Sequence, residues 1–242
     1  MCLIAVSIRT GHFPLVIAAN RDEDYDRPTL PAAFWSDAPE ILGGRDALHG
    51  GSWLAVTRDG RFAAVTNLRG STRDPHQRSR GELVSGFVRG DASPLRYVSD
   101  VASRADEYAG FHFLAGVRDD VVQLSGEVTR LTPGVHALSN APAGERWPKV
   151  AIAEAEVARL IAVPDAKRLT DAILEFLSAP RGTSRQESEV FVKGDRYGTR
   201  SSTAIVITAD ARLHFAEQSF RRQGVRDGDV RRFSASLVLP GR

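Results

Sequence analysis

The sequence predicts an α+β fold in which the strands pair antiparallel, and three observations lead to this class. Apolar, β-branched runs occur in neighbouring pairs joined by short turn sequences, as in β-hairpins. Two pairs of amphipathic segments with helical spacing lie between those runs. Parallel sheets typically show single helices alternating with single strands, and this sequence does not show that regular alternation. We therefore expect antiparallel sheets with the helices grouped beside them.

The predicted strands form four hairpins. The turn of the second contains Asp59-Gly60, a pair that favours the positive φ angles of a tight turn. Short turns join antiparallel strands, whereas parallel strands need a long crossover. The hairpins pair residues 2–8 with 13–19, 53–57 with 62–67, 111–117 with 121–124, and 204–208 with 213–216.

Two pairs of helices complete the prediction. The first pair spans 81–88 and a segment that begins at Pro94, where Ser93 supplies the cap and the proline occupies the first turn. The second pair covers 148–161 and 169–177, each with an apolar stripe at helical spacing. We find no linker long enough to divide the chain and predict one domain over 1–242, with a mobile polar loop at 183–188.

The amino-acid composition and the charge argue against a disordered, nucleic-acid-binding or membrane-spanning protein. Hydrophobic residues make up 42% and charged residues 26% of the 242 residues, which is ordinary for a globular protein and unlike a disordered one. The net charge of +2 comes from scattered basic residues, so no nucleic-acid partner is predicted. No apolar run reaches the roughly 20 residues of a membrane span, and residues 3–8 lack the features of a signal peptide. We expect a cytoplasmic protein without a transmembrane segment, and its oligomeric state stays open.

Cys2 is the most informative residue, because it is the single cysteine and follows the initiator directly. Removal of Met1 would place a thiol and a free α-amine on one residue, with pKa values near ~8.5 and ~8. Such a residue carries a nucleophile and a general base together. A lone cysteine is also commonly a small buried hydrophobe, so its position alone makes Cys2 only a candidate nucleophile.

A polar run, Asn20-Arg21-Asp22-Glu23, follows the predicted end of the second strand, where a hairpin partner brings it beside Cys2. A carboxylate there can orient an amine, and an arginine can stabilise a thiolate. The register stays open at this stage, because a slip of one residue reverses which side chains face Cys2. Taken alone, the run also fits a solvated strand end.

Further polar motifs lie at other predicted strand ends and loops. We expect Gly43-Gly44-Arg45-Asp46 and Gly50-Gly51-Ser52-Trp53 to frame a loop, and neither matches a phosphate-binding motif. The segments at Asn67, Asn140 and Arg200 each read as a turn when taken separately.

Together, these motifs follow one another in an order that resembles the NRDE family, the transport and Golgi organisation family. The motifs that carry the resemblance are Met1-Cys2-Leu3-Ile4, Asn20-Arg21-Asp22-Glu23, Gly43-Gly44-Arg45-Asp46, Gly51-Ser52-Trp53, Thr66-Asn67-Leu68-Arg69, Ser79-Arg80-Gly81, Leu138-Ser139-Asn140 and Tyr197-Gly198-Thr199-Arg200-Ser201-Ser202. The resemblance implies a four-layer αββα sandwich of antiparallel sheets that is N-terminal-nucleophile hydrolase-like. It also implies a more distant similarity to penicillin V acylases and bile salt hydrolases.

That resemblance assigns roles in the hydrolysis of a nonpeptide carbon–nitrogen bond, a reaction for which no cofactor or metal is expected. Cys2 would be the nucleophile, its amine the base, Asp22 the orienter of the amine, and Asn67 with Asn140 the oxyanion donors. The implied catalytic residues are Cys2, Asp22, Asn67, Asn140 and Arg200, and the implied substrate-binding residues are Asn20, Arg21, Glu23 and Arg69.

An alternative hypothesis is carriage of a hydrophobic ligand without catalysis. The resemblance associates the family with haem trafficking and with lipid or acyl-coenzyme A metabolism, so the carried ligand would be haem or an acyl-coenzyme A. Cys2 would then be a soft iron ligand, and the six histidines show no metal-binding spacing, so none is assigned. A weaker alternative is an interaction protein that uses Trp35, Trp53 and Trp147 as a partner surface, although such aromatics more often line cores.

Overall fold

The computed structural model describes residues 2–71, 74, 76–179 and 189–238. Met1, on whose removal the hydrolase prediction depends, and the predicted loop at 183–188 lie outside these residues. The strands in chain order are β1 (Leu3–Thr10), β2 (Phe13–Asp24), β3 (Thr29–Trp35), β4 (Ala38–Asp46), β5 (Leu54–Thr57), β6 (Arg61–Asn67), β7 (Phe111–Val117), β8 (Asp120–Ser125), β9 (Glu127–Arg130), β10 (Gly134–Ser139), β11 (Tyr197–Ile207), β12 (Arg212–Arg221) and β13 (Val225–Ser236). The helices are α1 (Gly81–Arg89), α2 (Pro94–Ser103), α3 (Pro148–Leu160) and α4 (Ala166–Ser178).

The chain divides into two compact units, and the first comprises Met1–Arg27, Thr132–Ser139 and Arg146–Leu237. Its sheet has six antiparallel strands in the order β10-β1-β2-β11-β12-β13. Alternate strand residues, including Leu3 and Val16, pack with Val157 of α3 and Ile173 of α4 in one apolar core. Since strand side chains alternate between faces, this core identifies the face of the sheet that carries the helices.

The second unit comprises Pro28–Leu131, Asn140–Glu145 and Val238–Arg242. Its seven-stranded sheet follows chain order from β3 to β9 and is antiparallel throughout. Phe87 of α1 and Val98 of α2 are fully buried and pack with Phe113 of β7 in a separate core. Both units are discontinuous in sequence, which explains why no linker could be found between them.

The predicted α+β class of antiparallel sheets with four helices is confirmed, and so are the four hairpins. The Asp59-Gly60 turn joins β5 to β6 with Gly60 at a φ of +84°. Each predicted helix forms within a few residues of its expected bounds, and Ser93 caps α2 by accepting a bond from the Arg96 amide. Within the described residues, no helix has the length and apolar character that crossing a bilayer requires.

One expectation about a strand end was wrong. The second strand does not end before Asn20 but continues to Asp24, because β11 pairs with it beyond the point where β1 begins. Residues 43–46 are the end of β4, and β5 begins at Leu54, so the stretches 43–46 and 50–53 frame a loop as expected. The Trp53 ring packs directly against Gly44 and occupies the space that a side chain would need, so position 44 requires glycine.

Several strands were not predicted, chiefly those with little apolar alternation. β13 is an edge strand whose side chains are mostly exposed, so the usual alternation of apolar and polar residues is missing. Its pairing with β12, which a sequence pattern does not reveal, defines it as a strand.

Candidate active site

The register of β1, β2 and β11 fixes which side chains share a face with Cys2. Leu3 lies opposite Asn20, and Asn20 lies opposite Ser202, on the face that carries the helices. Arg21 lies opposite Ser201 on the other face. Cys2 precedes Leu3, so alternation along the strand puts it on the face of Arg21. The register that the sequence left open therefore puts Arg21, rather than Asn20, beside the thiol.

Asn20 is held by a closed hydrogen-bond network on the helix-carrying face. Its Nδ2 donates to the carbonyl oxygens of Leu177, 2.8 Å away at the end of α4, and Val190, 2.7 Å away before β11. Its Oδ1 accepts a 2.6 Å bond from the Ser202 hydroxyl. Both amide protons and the oxygen are thereby used in a side chain that is 1% exposed. The structure does not bring Asn20 to the face of Cys2, and its amide joins α4 and the chain before β11 to the sheet.

Asp22 connects the two faces of β2. Its carboxylate is buried on the helix-carrying side and accepts a 2.6 Å bond from the Thr199 hydroxyl. The Val192 amide donates to the same hydroxyl oxygen, which leaves the hydroxyl proton for Asp22. Burial raises the pKa of Asp22, whereas the nearby charge of Lys149 and the bond from Thr199 lower it. The backbone carbonyl of Asp22 accepts from the Cys2 thiol, with a sulfur–oxygen distance of 3.8 Å.

Cys2 is a half-buried residue that directly precedes β1. Burial of the sulfur raises the pKa of Cys2, and the Asp22 charge acts in the same direction, while the charge of Arg21 lowers it. The net direction is upward, so the thiol is protonated at neutral pH. A thiol in that state needs a base before it can act as a nucleophile.

Arg21 is a buried cation beside Cys2. Its side chain is 5% exposed, and its Nη2 lies 3.6 Å from Oε2 of Glu23, which also lies 3.8 Å from Nε of Arg27. Burial lowers the pKa of Arg21, with Arg200 and Arg27 acting in the same direction and Glu23 opposing. An arginine stays charged in such surroundings, because its ordinary pKa lies above 12.

Arg200 lies at a break in register between Thr199 and Ser201, where β11 bulges against β2. Its Nη1 donates to the carbonyl oxygens of Asp24 at 3.0 Å, Tyr25 at 2.7 Å and Arg27 at 3.3 Å. Bulges commonly re-aim a side chain near functional sites. Here the bulge directs the guanidinium to the turn that follows β2.

The two candidate oxyanion residues belong to the second unit and lie in neighbouring segments. Asn67 is exposed at the end of β6, and Asn140 is buried. The Arg69 amide donates to the Asn140 carbonyl oxygen at 2.9 Å. The side chain of Arg69 is exposed. The candidate residues therefore form two groups, one in each unit.

Sequence reasoning gave no role to Thr199, Lys149 or His112. Lys149 is fully buried in the first turn of α3, with its Nζ 5.5 Å from the centre of the Trp147 ring. A lysine on the apolar stripe of a predicted helix was the available signal, because lysine is almost never fully buried without a counter-charge. Among the residues that the structure describes, no group of three or more His, Cys, Asp and Glu side chains could hold a metal ion.

Comparison with known sequences decides the family. A family model described as Transport and Golgi organisation 2 matches residues 1–222. The chain belongs to this family. The Transport and Golgi organization protein 2 homolog of Bos taurus is 33% identical over 256 residues, which cover 90% of this chain and 93% of the relative. The Homo sapiens homolog is 30% identical over 274 residues, which cover 98% of this chain and 99% of that relative. The resemblance read from the ordered motifs is confirmed.

Comparison with solved structures concerns the fold. The structure of a Caenorhabditis elegans ortholog of N-acylethanolamine-hydrolyzing acid amidase is similar, with a TM-score of 0.50 and 15% sequence identity. The match covers 85% of this chain and 92% of the amidase. At this identity the likeness concerns the fold alone, and it supports the α+β sandwich of antiparallel sheets for this member of the Transport and Golgi organisation 2 family.

Proposed function

We propose that this protein hydrolyses a nonpeptide amide, with Cys2 as an N-terminal nucleophile that becomes active when Met1 is removed. The observation that carries the proposal is the register that puts the Cys2 thiol on the same face of the sheet as Arg21, a buried cation. The pKa of that thiol is raised by burial. Such a thiol requires a base close to the sulfur. The α-amine of a processed Cys2 is that base, because it belongs to the same residue and titrates near ~8.

In the proposed reaction, the amine accepts the thiol proton while the sulfur attacks the carbonyl carbon of the substrate. The C=O electron pair moves onto oxygen, and the amides of Asn67 and Asn140 donate to the resulting oxyanion. The pair then re-forms the C=O bond, the C–N bond breaks, and the ammonium returns its proton to the leaving amine. Water attacks the thioester in the same manner, which releases the carboxylic acid and restores the thiol.

Asp22 orients the amine in this proposal, and its surroundings suit that role. The Thr199 hydroxyl fixes one carboxylate oxygen at 2.6 Å, so the carboxylate cannot rotate freely. The charge of Lys149 favours the ionised carboxylate, which burial disfavours. A fixed, ionised Asp22 would hold the amine in one orientation relative to the sulfur.

The charged residues around Cys2 would bind substrate. Arg21 stabilises the developing thiolate and interacts with the polar end of the amide, and Glu23 keeps its guanidinium in place at 3.6 Å. Arg200 acts through the turn that it holds with three hydrogen bonds, and Arg69 remains a proposed substrate-binding residue. We leave Asn20 out of the substrate contacts, because its amide is already fully used.

The proposal is tested by intact mass and turnover measured on the same sample. Protein purified from cells should lack Met1, react at its N-terminus with a reagent specific for 1,2-aminothiols, and hydrolyse members of a panel of fluorogenic N-acyl amides. Cys2→Ala should lower kcat by about 10⁴-fold or more, as expected when a nucleophile is deleted. Active protein that retains Met1, or unchanged turnover in Cys2→Ala, would contradict the mechanism.

Ligand carriage is the competing proposal, and a haem titration followed by absorbance separates it from hydrolysis. Cys2 is a free, half-buried cysteine, and its sulfur would be the soft ligand of the haem iron. Haem carriage predicts a saturable absorbance change that Cys2→Ala abolishes. Because a free thiol suits a reducing compartment, either function fits the cytoplasmic location that we propose.

A further inference from the structure

His112 is a buried histidine of β7 that lies next to both candidate oxyanion residues. It is 4% exposed and faces Thr66 across the β6–β7 pair, so its neighbour Phe111 lies opposite Asn67. Its ring reaches the segment that follows β10, where Nε2 lies 2.8 Å from the carbonyl oxygen of Ala141. The ring thus links β7, at the position paired with Thr66 of β6, to the residue that follows Asn140.

The partner of Nε2 fixes the tautomer of His112. A carbonyl oxygen can only accept, so Nε2 carries the proton and donates it. In the neutral ring Nδ1 is then an acceptor, and this atom is buried without a hydrogen-bond partner in the described part of the chain. Burial lowers the pKa of His112, which keeps the ring neutral at pH 7. The ring therefore acts as a fixed, uncharged donor to Ala141.

A second donor holds the preceding carbonyl. The Arg69 amide, two residues after Asn67, donates to the Asn140 oxygen at 2.9 Å. Two consecutive carbonyl groups, those of Asn140 and Ala141, are therefore held by donors from β7 and from the end of β6. The side chain of Asn140 is not fixed through its own Oδ1, because this atom is buried and has no partner among the described residues. The position of the Asn140 amide depends on its backbone, and its backbone depends on these two bonds.

We propose that His112 is a positioning residue that holds Asn140 in register with Asn67, so that both amides can donate to one oxyanion. The effect of His112 on catalysis rests on the proposed function. Its hold on the Asn140 segment does not, because it depends only on contacts within the second unit. A side chain of similar volume without the Nε2 proton would fill the same space. It would leave the Ala141 carbonyl without this donor and free the Asn140 segment.

The test compares three substitutions in the full-length protein with a matched control. His112→Gln keeps a donor near the place of Nε2, His112→Leu removes it, and His112→Asn keeps a polar side chain too short to reach Ala141. His136→Leu is the control, because His136 makes the same kind of bond, 2.8 Å from Nε2 to the Thr132 carbonyl, in the first unit. The readouts are kcat and KM for the amide panel, hydrogen exchange at the Arg69 amide, and the rate of Cys2 alkylation by iodoacetamide.

We expect His112→Leu and His112→Asn to lower kcat by about 10- to 100-fold, the scale of a misplaced catalytic group. KM and the alkylation rate should stay unchanged, and exchange at the Arg69 amide should be about tenfold faster or more, because its acceptor is no longer held. His112→Gln and His136→Leu should remain within about threefold of the wild type in each readout, well short of the effect of a lost catalytic donor. If His112→Leu does not fold, comparing His112→Asn with His112→Gln still separates loss of the donor from its retention.

The possible failures can be told apart. Unchanged exchange at the Arg69 amide in His112→Leu and His112→Asn would overturn the positioning role, whatever the turnover. Faster exchange with unchanged kcat would overturn its link to the oxyanion site. Faster exchange in a protein that hydrolyses none of the panel, even as the wild type, would support the positioning role and count against the proposed function.

Discussion

The two faces of β2 carry adjacent polar residues with opposite character. On the helix-carrying face, Asn20 has every hydrogen-bonding atom used by neighbouring groups that are themselves buried. On the other face, Arg21 brings a buried positive charge beside Cys2, balanced by a carboxylate 3.6 Å away. Neighbours in one strand can therefore have different roles, since one face of β2 stabilises the fold and the other lies beside the proposed nucleophile. Separate measurements of stability and of thiol reactivity test this difference between the two faces.

The largest expected effect is on stability, from Asn20→Leu. The substitution leaves the Leu177 and Val190 carbonyls and the Ser202 hydroxyl buried without their partner, at a cost of about 1–3 kcal/mol for each group that finds no replacement. We expect the free energy of unfolding to fall by about 2–5 kcal/mol. Urea denaturation measures the change.

Cys2→Ala is the matched control on the opposite face. It should change the free energy of unfolding by less than about 1 kcal/mol, because Cys2 is only half-buried and its thiol makes one long hydrogen bond. An Asn20→Leu protein as stable as the wild type, or a large loss of stability in Cys2→Ala, would show that the two faces do not differ in this way.

An intermediate effect is expected for Asp22→Asn, with a characteristic pH dependence. Burial holds the pKa of Asp22 above its ordinary value, so the folded state binds a proton more readily than the unfolded chain. The stability contribution of the carboxyl is then fully present below its unfolded pKa, near ~3.9, and is lost as pH rises through the higher folded pKa. Asp22→Asn should abolish this decline, while its amide oxygen still accepts from Thr199.

Urea denaturation at several pH values checks the Asp22 prediction. The variant should be more stable relative to the wild type at pH 7 than at pH 4, and it should turn over substrate more slowly, because it cannot hold the amine as an anion does. A wild type whose stability rises relative to the variant as pH increases would contradict the sign.

The smallest effect is expected for Arg21→Gln, measured as the pH profile of Cys2 alkylation. The charge of Arg21 lowers the pKa of the thiol, so its removal should move the midpoint of the profile to higher pH. At a fixed pH below the midpoint, alkylation should slow by a few fold. Arg196→Gln provides the control, because Arg196 is 84% exposed and pairs with Asp24 in the same unit. Equal profiles for the two variants would mean that Arg21 does not influence the thiol.

Much of the architecture was predictable because it depends on local patterns. Hairpins with short turns, such as that at Asp59-Gly60, and helices with an apolar stripe can be read from neighbouring residues. β13 could not be predicted in this way, because pairing with β12 rather than its own apolar pattern makes it a strand. The two compact units have no local signal in the sequence, because each unit collects segments that are distant in sequence.

The candidate site was predictable as a set of residues but not as a geometry. The ordered motifs identified Cys2, Asp22 and Asn140, whereas the side to which Asn20 and Arg21 point required the register of β1 against β2. Thr199 lay inside a recognised motif, but its bond to Asp22 depends on the pairing of β2 with β11. His112 had no sequence signal, because its role depends on a contact with Ala141, 29 residues away.

The most direct test of the central claim is the intact mass of the protein quenched during turnover of an N-acyl amide. We predict a species that lacks Met1 and carries one acyl group, which peptide mapping locates on the sulfur of Cys2. Acylated protein that retains Met1, or turnover with an acyl group on another residue, would contradict the account.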